Sequence, residues 1–194
     1  MSSTTYADEM LSRAIDAVER GGPDLYSVLE ALPAPIYVTD PHGVVTHFNR
    51  ACIGLAGRTP AVGKDRWCVT WKLYTEDGEF LPHDQCPMAA AIRSRSPVRG
   101  VSAVAERPDG SRVSFVPFPT PLFGANGELL GAINMLVDVT DDRQIDELWA
   151  QARRCRRLGA GACDQSIADT LGLMAVEYET KARDLELTCA RRRA

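Results

Sequence analysis

In LPHDQCPMAAAIRS, residues 81–94, a histidine, an aspartate, a cysteine and a methionine fall within six positions ahead of an alanine-rich run. Three chemistries compete for this stretch. Proline suits the first position of a helix and pushes the residue before it out of helical geometry, so Cys86 reads as an N-cap and Pro87 as the first helical residue. Met88 and Ile92 then share one face with Ala91, while Arg93 and Arg95 sit near the end, where positive charge suits the helix dipole. A second reading takes Cys86 as a reactive thiol, since the positive end of a helix favours thiolate, although Asp84 opposes that effect. A third takes His83-x-x-Cys86 as half a zinc site. Zinc wants four ligands, and the chain offers only scattered Cys52, Cys68, His42 and His47 besides. The helix entrance accounts for most of the residues.

Other candidates lie elsewhere. Asn134 interrupts an apolar run and, at strand spacing, shares a face with Ala132 and Leu136. Its amide would either hold a ligand or bond to neighbouring backbone. Trp67, Trp71 and Phe115 are candidates for the apolar lining of a pocket, with a packed core as the plainer alternative.

These residues need elements to position them. Leu11, Ile15 and Val18 recur at helical spacing from Ala7 to Arg20, until Gly21, Gly22 and Pro23 end the pattern; a short helix from Leu25 to Leu32 follows, with Asp24 as its N-cap. PIYVTD (35–40) and VVTHFN (44–49) flank a Pro41-His42-Gly43 turn and read as a hairpin. RGVSAVAE (99–106) and SRVSFVPF (111–118) flank Pro108-Asp109-Gly110 and read as another. After the Asn126-Gly127 turn, LLGAINMLVDV (129–139) is apolar enough for a central strand. About 50 residues holding short helical pieces separate the first hairpin from these three strands. Beyond Thr140 the pattern is again helical, broken by Gly159 and Gly161, with a last helix from about Ser166.

This arrangement resembles a PAS domain over residues 25–142. LPAPIYVTDPHGVVTHFNRA carries Asp40, Gly43 and Asn49 at the family's usual places, and Gly63 follows. AERPDGSRVSF and NGELLGAINMLVDVTD match the second half, closing on Asp138 and Thr140. The resemblance implies an α+β fold with a five-stranded antiparallel sheet, helices on one face, and N- and C-terminal helices added. It divides the chain into an N-terminal amphipathic helix (1–24), the PAS domain (25–142) and a helical extension (143–194). It also implies a pocket, whose ligand the fold does not choose. Haem-binding members take axial ligands from the region of His83, Cys86 and Met88, so haem is the cofactor to test there. The flavin-binding branch carries Asn-Cys-Arg-Phe-Leu-Gln, which this chain lacks, and that argues against flavin. No histidine follows His83, and the residues after 142 are too few for a kinase, cyclase or phosphodiesterase domain.

Composition narrows the classes further. With 22 basic and 26 acidic residues, net charge −4, the overall field repels nucleic acid and anionic membranes. No run approaches the roughly 20 apolar residues of a membrane span, which places the protein in the cytoplasm. Six cysteines without a CxxC pair read as free thiols. No phosphate loop, nucleophile elbow or carboxylate pair suggests an enzyme. Ile145, Leu148, Ala152 and Cys155 follow the spacing of a short coiled-coil seam. The expectation is a non-enzymatic sensor or interaction module, a homodimer that relays a change induced by a small-molecule ligand or a separate signalling protein through Asp138 and Thr140 into its flanking helices. The alternative is a haem or thiol-based sensor built on His83, Cys86 or Met88.

Overall fold

The computed structural model describes residues 9–16 and 25–193, so the expected helix around Val18 and the Asp24 cap lie outside the described residues. Two compact units divide after Asp138.

In the first unit, residues 9–16 (α1) and Leu25–Glu30 (α2) are helical, followed by strands Ile36–Thr39 (β1) and Val45–Phe48 (β2). Helix Ala51–Ala56 (α3), strand Lys72–Tyr74 (β3), a single 3-10 turn at His83–Gln85 and helix Pro87–Ser94 (α4) form the middle. Strands Ala103–Glu106 (β4), Arg112–Pro117 (β5), Thr120–Phe123 (β6) and Leu129–Asp138 (β7) complete it. All pairings are antiparallel in the order β2-β1-β7-β5-β4-β3, with β6 also on β7.

Among the described residues seven strands stand where five were expected, for two reasons. β5 and β6 are one strand in function, pairing with successive stretches of β7 and broken at Phe118-Pro119, where proline has no N–H to give. β3 is an added edge. Its Lys72 meets Glu106 at 3.0 Å, and Arg112 meets the same carboxylate at 3.0 Å. That edge adds a strand to a middle segment whose expected short helical pieces are present.

β7 is central and buried along six consecutive residues, as its sequence, apolar but for Asn134, requires. Alternation along the strands then builds two cores. Tyr37, Phe115 and Leu136 face Cys52 and Leu55 of α3 and Met88 and Ile92 of α4. Ile36, Ile133 and Met135 face the opposite way, onto Met10, Leu11 and Ala14 of α1 and onto Leu29 and Leu32. One buried polar side chain ties the second layer down. Asn49 accepts the Ile36 N–H at 2.9 Å and donates to the carbonyls of Leu29 (3.0 Å) and Ala34 (2.8 Å). It thereby satisfies groups left over where α2 ends and β1 begins.

The second unit is a hairpin of two helices, Thr140–Ala160 (α5) and Gln165–Arg193 (α6). Trp149 Nε1 donates to Glu186 at 2.9 Å and Arg156 pairs with Glu179 at 2.7 Å, so the helices run antiparallel. Small buried residues, Ala152 and Cys155 against Ala175, Ala182 and Cys189, let them approach closely. The seam read on α5 therefore has a partner within its own chain, since the turn at Gly161 folds the helix back.

Candidate functional site

The face of the sheet that carries α3 and α4 holds a line of buried polar groups. Tyr37 on β1 and Asn134 on β7 are direct cross-strand partners, both pointing into this core. A buried tyrosine hydroxyl needs hydrogen-bond partners, and this one has two. Asn134 Nδ2 donates to Tyr37 Oη at 3.0 Å, and Tyr37 Oη donates to the Trp67 carbonyl at 2.9 Å. Asn134 Oδ1 accepts the Phe118 N–H at 2.9 Å, at the very point where β5 breaks from β6. The line continues outward. Thr70 Oγ1 donates to Cys68 Sγ at 3.2 Å and lies 3.5 Å from His83 Nε2, while Cys86 Sγ lies 3.8 Å from the Trp67 carbonyl.

The backbone makes this possible at Trp67, whose φ of 68° is unusual for a residue with a side chain. Its indole lies against Gly43, where a Cβ would run into the ring, and the Trp67 backbone N–H donates to the Gly43 carbonyl at 2.6 Å. The sharp β1–β2 turn and the Trp67 carbonyl are thus positioned together.

Electrostatics keep the site neutral. Burial holds the Tyr37 hydroxyl well above its usual value of 10.0, with nearby Cys68 and Cys86 acting in the same direction. Burial likewise pushes the Cys86 thiol from 9.0 up to about 12. His83 is lowered by burial and by the Arg58 guanidinium, which favours neutral imidazole.

The expected site residues separate accordingly. Cys86 caps α4 and Pro87 opens it, as the spacing requires, but Cys86 is 1% exposed and its thiol is held protonated. That corrects the reactive-thiol reading, because the nucleophile is thiolate and the helix terminus is outweighed by burial. Met88 is fully buried in the core with Leu73, Phe115 and Leu136. These residues do not fit a haem. Its two sulfur candidates are packed against side chains on all sides, and His83 turns its Nε2 towards Thr70. Trp71 is 52% exposed and stands outside the buried core. Phe115 is core, Trp67 is partly buried, Asp138 is exposed at the end of β7, and Thr140 is the first residue of α5. Among the described residues no three His, Cys, Asp or Glu side chains come together to hold a metal ion.

Tyr37 and Thr70 were not singled out from sequence, and Cys68 was weighed only as a scattered zinc ligand. The available signal was Tyr37 itself, a large side chain with a hydroxyl between Ile36 and Val38. A groove of about 490 Å³ lies apart from this line, bordered by Val38, Asp40, Thr46, Leu122 and Leu130. It includes none of the expected site residues.

A family model described as the PAS fold matches residues 29–144. The chain belongs to the PAS family. PAS domains are sensory modules of signal transduction, and this one is related to a sensor kinase. Sensor protein kinase FleS of Pseudomonas aeruginosa is 30% identical over 141 residues, which cover 73% of this chain and 28% of that protein. The chain therefore spans little more than a quarter of this relative's length. Among solved structures, a PAS domain from Colwellia psychrerythraea is 17% identical with a TM-score of 0.40, over 59% of this chain and 92% of that one. The PAS domain of BvgS from Bordetella pertussis is 18% identical with a TM-score of 0.39, over 60% and 83%. No described helix is long and apolar enough to cross a membrane.

Proposed function

We propose that this PAS domain is a non-enzymatic, cytoplasmic sensor and interaction module, a homodimer that relays a change in its core to a separate signalling protein through β7 and α5. The observation that carries this reading is the Tyr37–Asn134 bond, in which the central strand is tied to β1 and, through Trp67, to the middle segment. A ligand or partner that competes for Tyr37 Oη must release one of these bonds. β7 runs on from Asn134 to Asp138, and only Val139 separates it from Thr140, the start of α5. A shift of β7 is thereby imposed on the first turn of α5, with Asp138 and Thr140 as the junction, and the equilibrium between two arrangements is what the input biases.

Hydrogen exchange on the full chain tests the relay. In Asn134→Leu, amides in the first three turns of α5 exchange at least about fivefold faster or slower than in the unaltered protein, reflecting a changed local opening equilibrium. Altered exchange in β7 with α5 unchanged would refute the relay. Native mass spectrometry of the same samples reports the dimer and any small molecule that is retained.

A further inference from the structure

α6 has two apolar faces. Ala175, Ala182 and Cys189 are buried against α5, whereas Leu173, Val176 and Leu187 on the opposite side are 73%, 52% and 58% exposed. Leu173 and Leu187 lie seven residues either side of Thr180, and Asp169 and Arg191 lie eleven either side. Steps of seven and eleven return a helix to nearly the same direction, so all five share one stripe, and Asp169, Thr180 and Arg191 are exposed with it.

The charges along the helix are self-complementary. On the stripe itself the acidic Asp169 stands towards one end and the basic Arg191 towards the other, whereas Glu179 is turned to Arg156 of α5 and Glu177 to Lys181. A parallel copy would set each of these against its own like, and an antiparallel copy sets Asp169 against Arg191.

We propose that this stripe is the contact with a second copy of the chain, antiparallel and centred on Thr180. Leu173 packs on the partner's Leu187, Asp169 faces the partner's Arg191, and Thr180 meets its own counterpart on the two-fold axis. Such an isologous contact repeats each interaction twice and closes at two subunits. The proposal rests on the dimer in the function given above and assigns its interface.

Two experiments on the full chain test it, both in a Cys163→Ser background to remove the exposed thiol. Under mild oxidation Thr180→Cys forms a disulfide-linked dimer, because only a residue on the axis meets itself. Leu187→Cys alone gives none, and Leu173→Cys with Leu187→Cys restores it. In sedimentation, Leu173→Asp weakens the dimer by about a hundredfold or more, since each dimer loses two apolar contacts. Circular dichroism stays unchanged, because Leu173 is exposed in the single chain. A Leu173→Asp protein that remains dimeric, with Thr180→Cys failing to cross-link, overturns this interface and leaves the dimer standing. An unaltered protein that is monomeric at all concentrations overturns both.

Discussion

Tyr37→Phe isolates the buried hydroxyl at almost constant volume. It removes two bonds, from Asn134 Nδ2 at 3.0 Å and to the Trp67 carbonyl at 2.9 Å, at a site with no exposure to water. Two polar groups are left unpaired at about 1–3 kcal/mol each, so the expected loss is about 2–6 kcal/mol. Asn134→Leu costs less, about 1–2 kcal/mol. Tyr37 Oη still donates to Trp67, and the Phe118 N–H keeps the Met135 carbonyl at 2.8 Å. In the double variant only the Trp67 carbonyl is stranded, so its loss falls about 1–2 kcal/mol short of the sum, the signature of direct coupling. Urea unfolding followed by tryptophan fluorescence measures this in a Trp149→Phe background, which confines the signal to Trp67 and Trp71 in the first unit. Additive losses, or a Tyr37→Phe loss below about 0.5 kcal/mol, would show that the geometry does not describe a coupled buried pair.

The same reasoning reaches three further positions. Asn49→Asp replaces a donor to the Leu29 and Ala34 carbonyls by an oxygen facing them; it lowers the urea midpoint by an amount equivalent to about 3–5 kcal/mol, more than Asn49→Ala. Cys52 and Cys86 are both pushed from 9.0 up to about 12 by burial, so above pH 9 the unfolded chain releases protons that the folded chain holds. Stability is complete below that pH and falls between pH 9 and 12, by up to about 1.4 kcal/mol per pH unit for each thiol. Urea midpoints under reducing conditions should decline across that window and decline less in Cys86→Ala; a flat profile to pH 10.5 would contradict the buried, protonated thiols.

Local chemistry made much of the fold legible. The hairpin turns, the Cys86-Pro87 entrance to α4 and the apolar density of β7 are each decided by a few neighbouring residues, and each stands where the spacing puts it. β3 was not legible because Lys72–Tyr74 is too short to show alternation, and its pairing depends on Glu106, more than 30 residues away. The site divides in the same way. Asn134 stood out against its apolar run, but the register that sets it opposite Tyr37, 97 residues earlier, is a property of the assembled sheet. His83 and Cys86 drew attention by type and spacing, whereas their roles are decided by burial, which one short segment does not reveal.

The Asn134 side chain ties together the segments that the proposed relay would move. Its Oδ1 reaches the Phe118 amide where Pro119 interrupts the ladder, and its Nδ2 reaches Tyr37, so one amide holds β1, β7 and the β5–β6 break together. Apolar packing alone would hold these segments with many small contacts and no single point of release. A polar junction concentrates about 1–3 kcal/mol in one exchangeable bond. That is the scale of a typical coupling free energy, worth about 5- to 150-fold in a two-state equilibrium. A ligand hydroxyl or amide that replaces the Asn134–Tyr37 bond without loss would leave the protein stable and β7 displaced, so stability and signal would respond differently to Asn134→Leu. The variant should lose its response to such a ligand while retaining most of its resistance to urea.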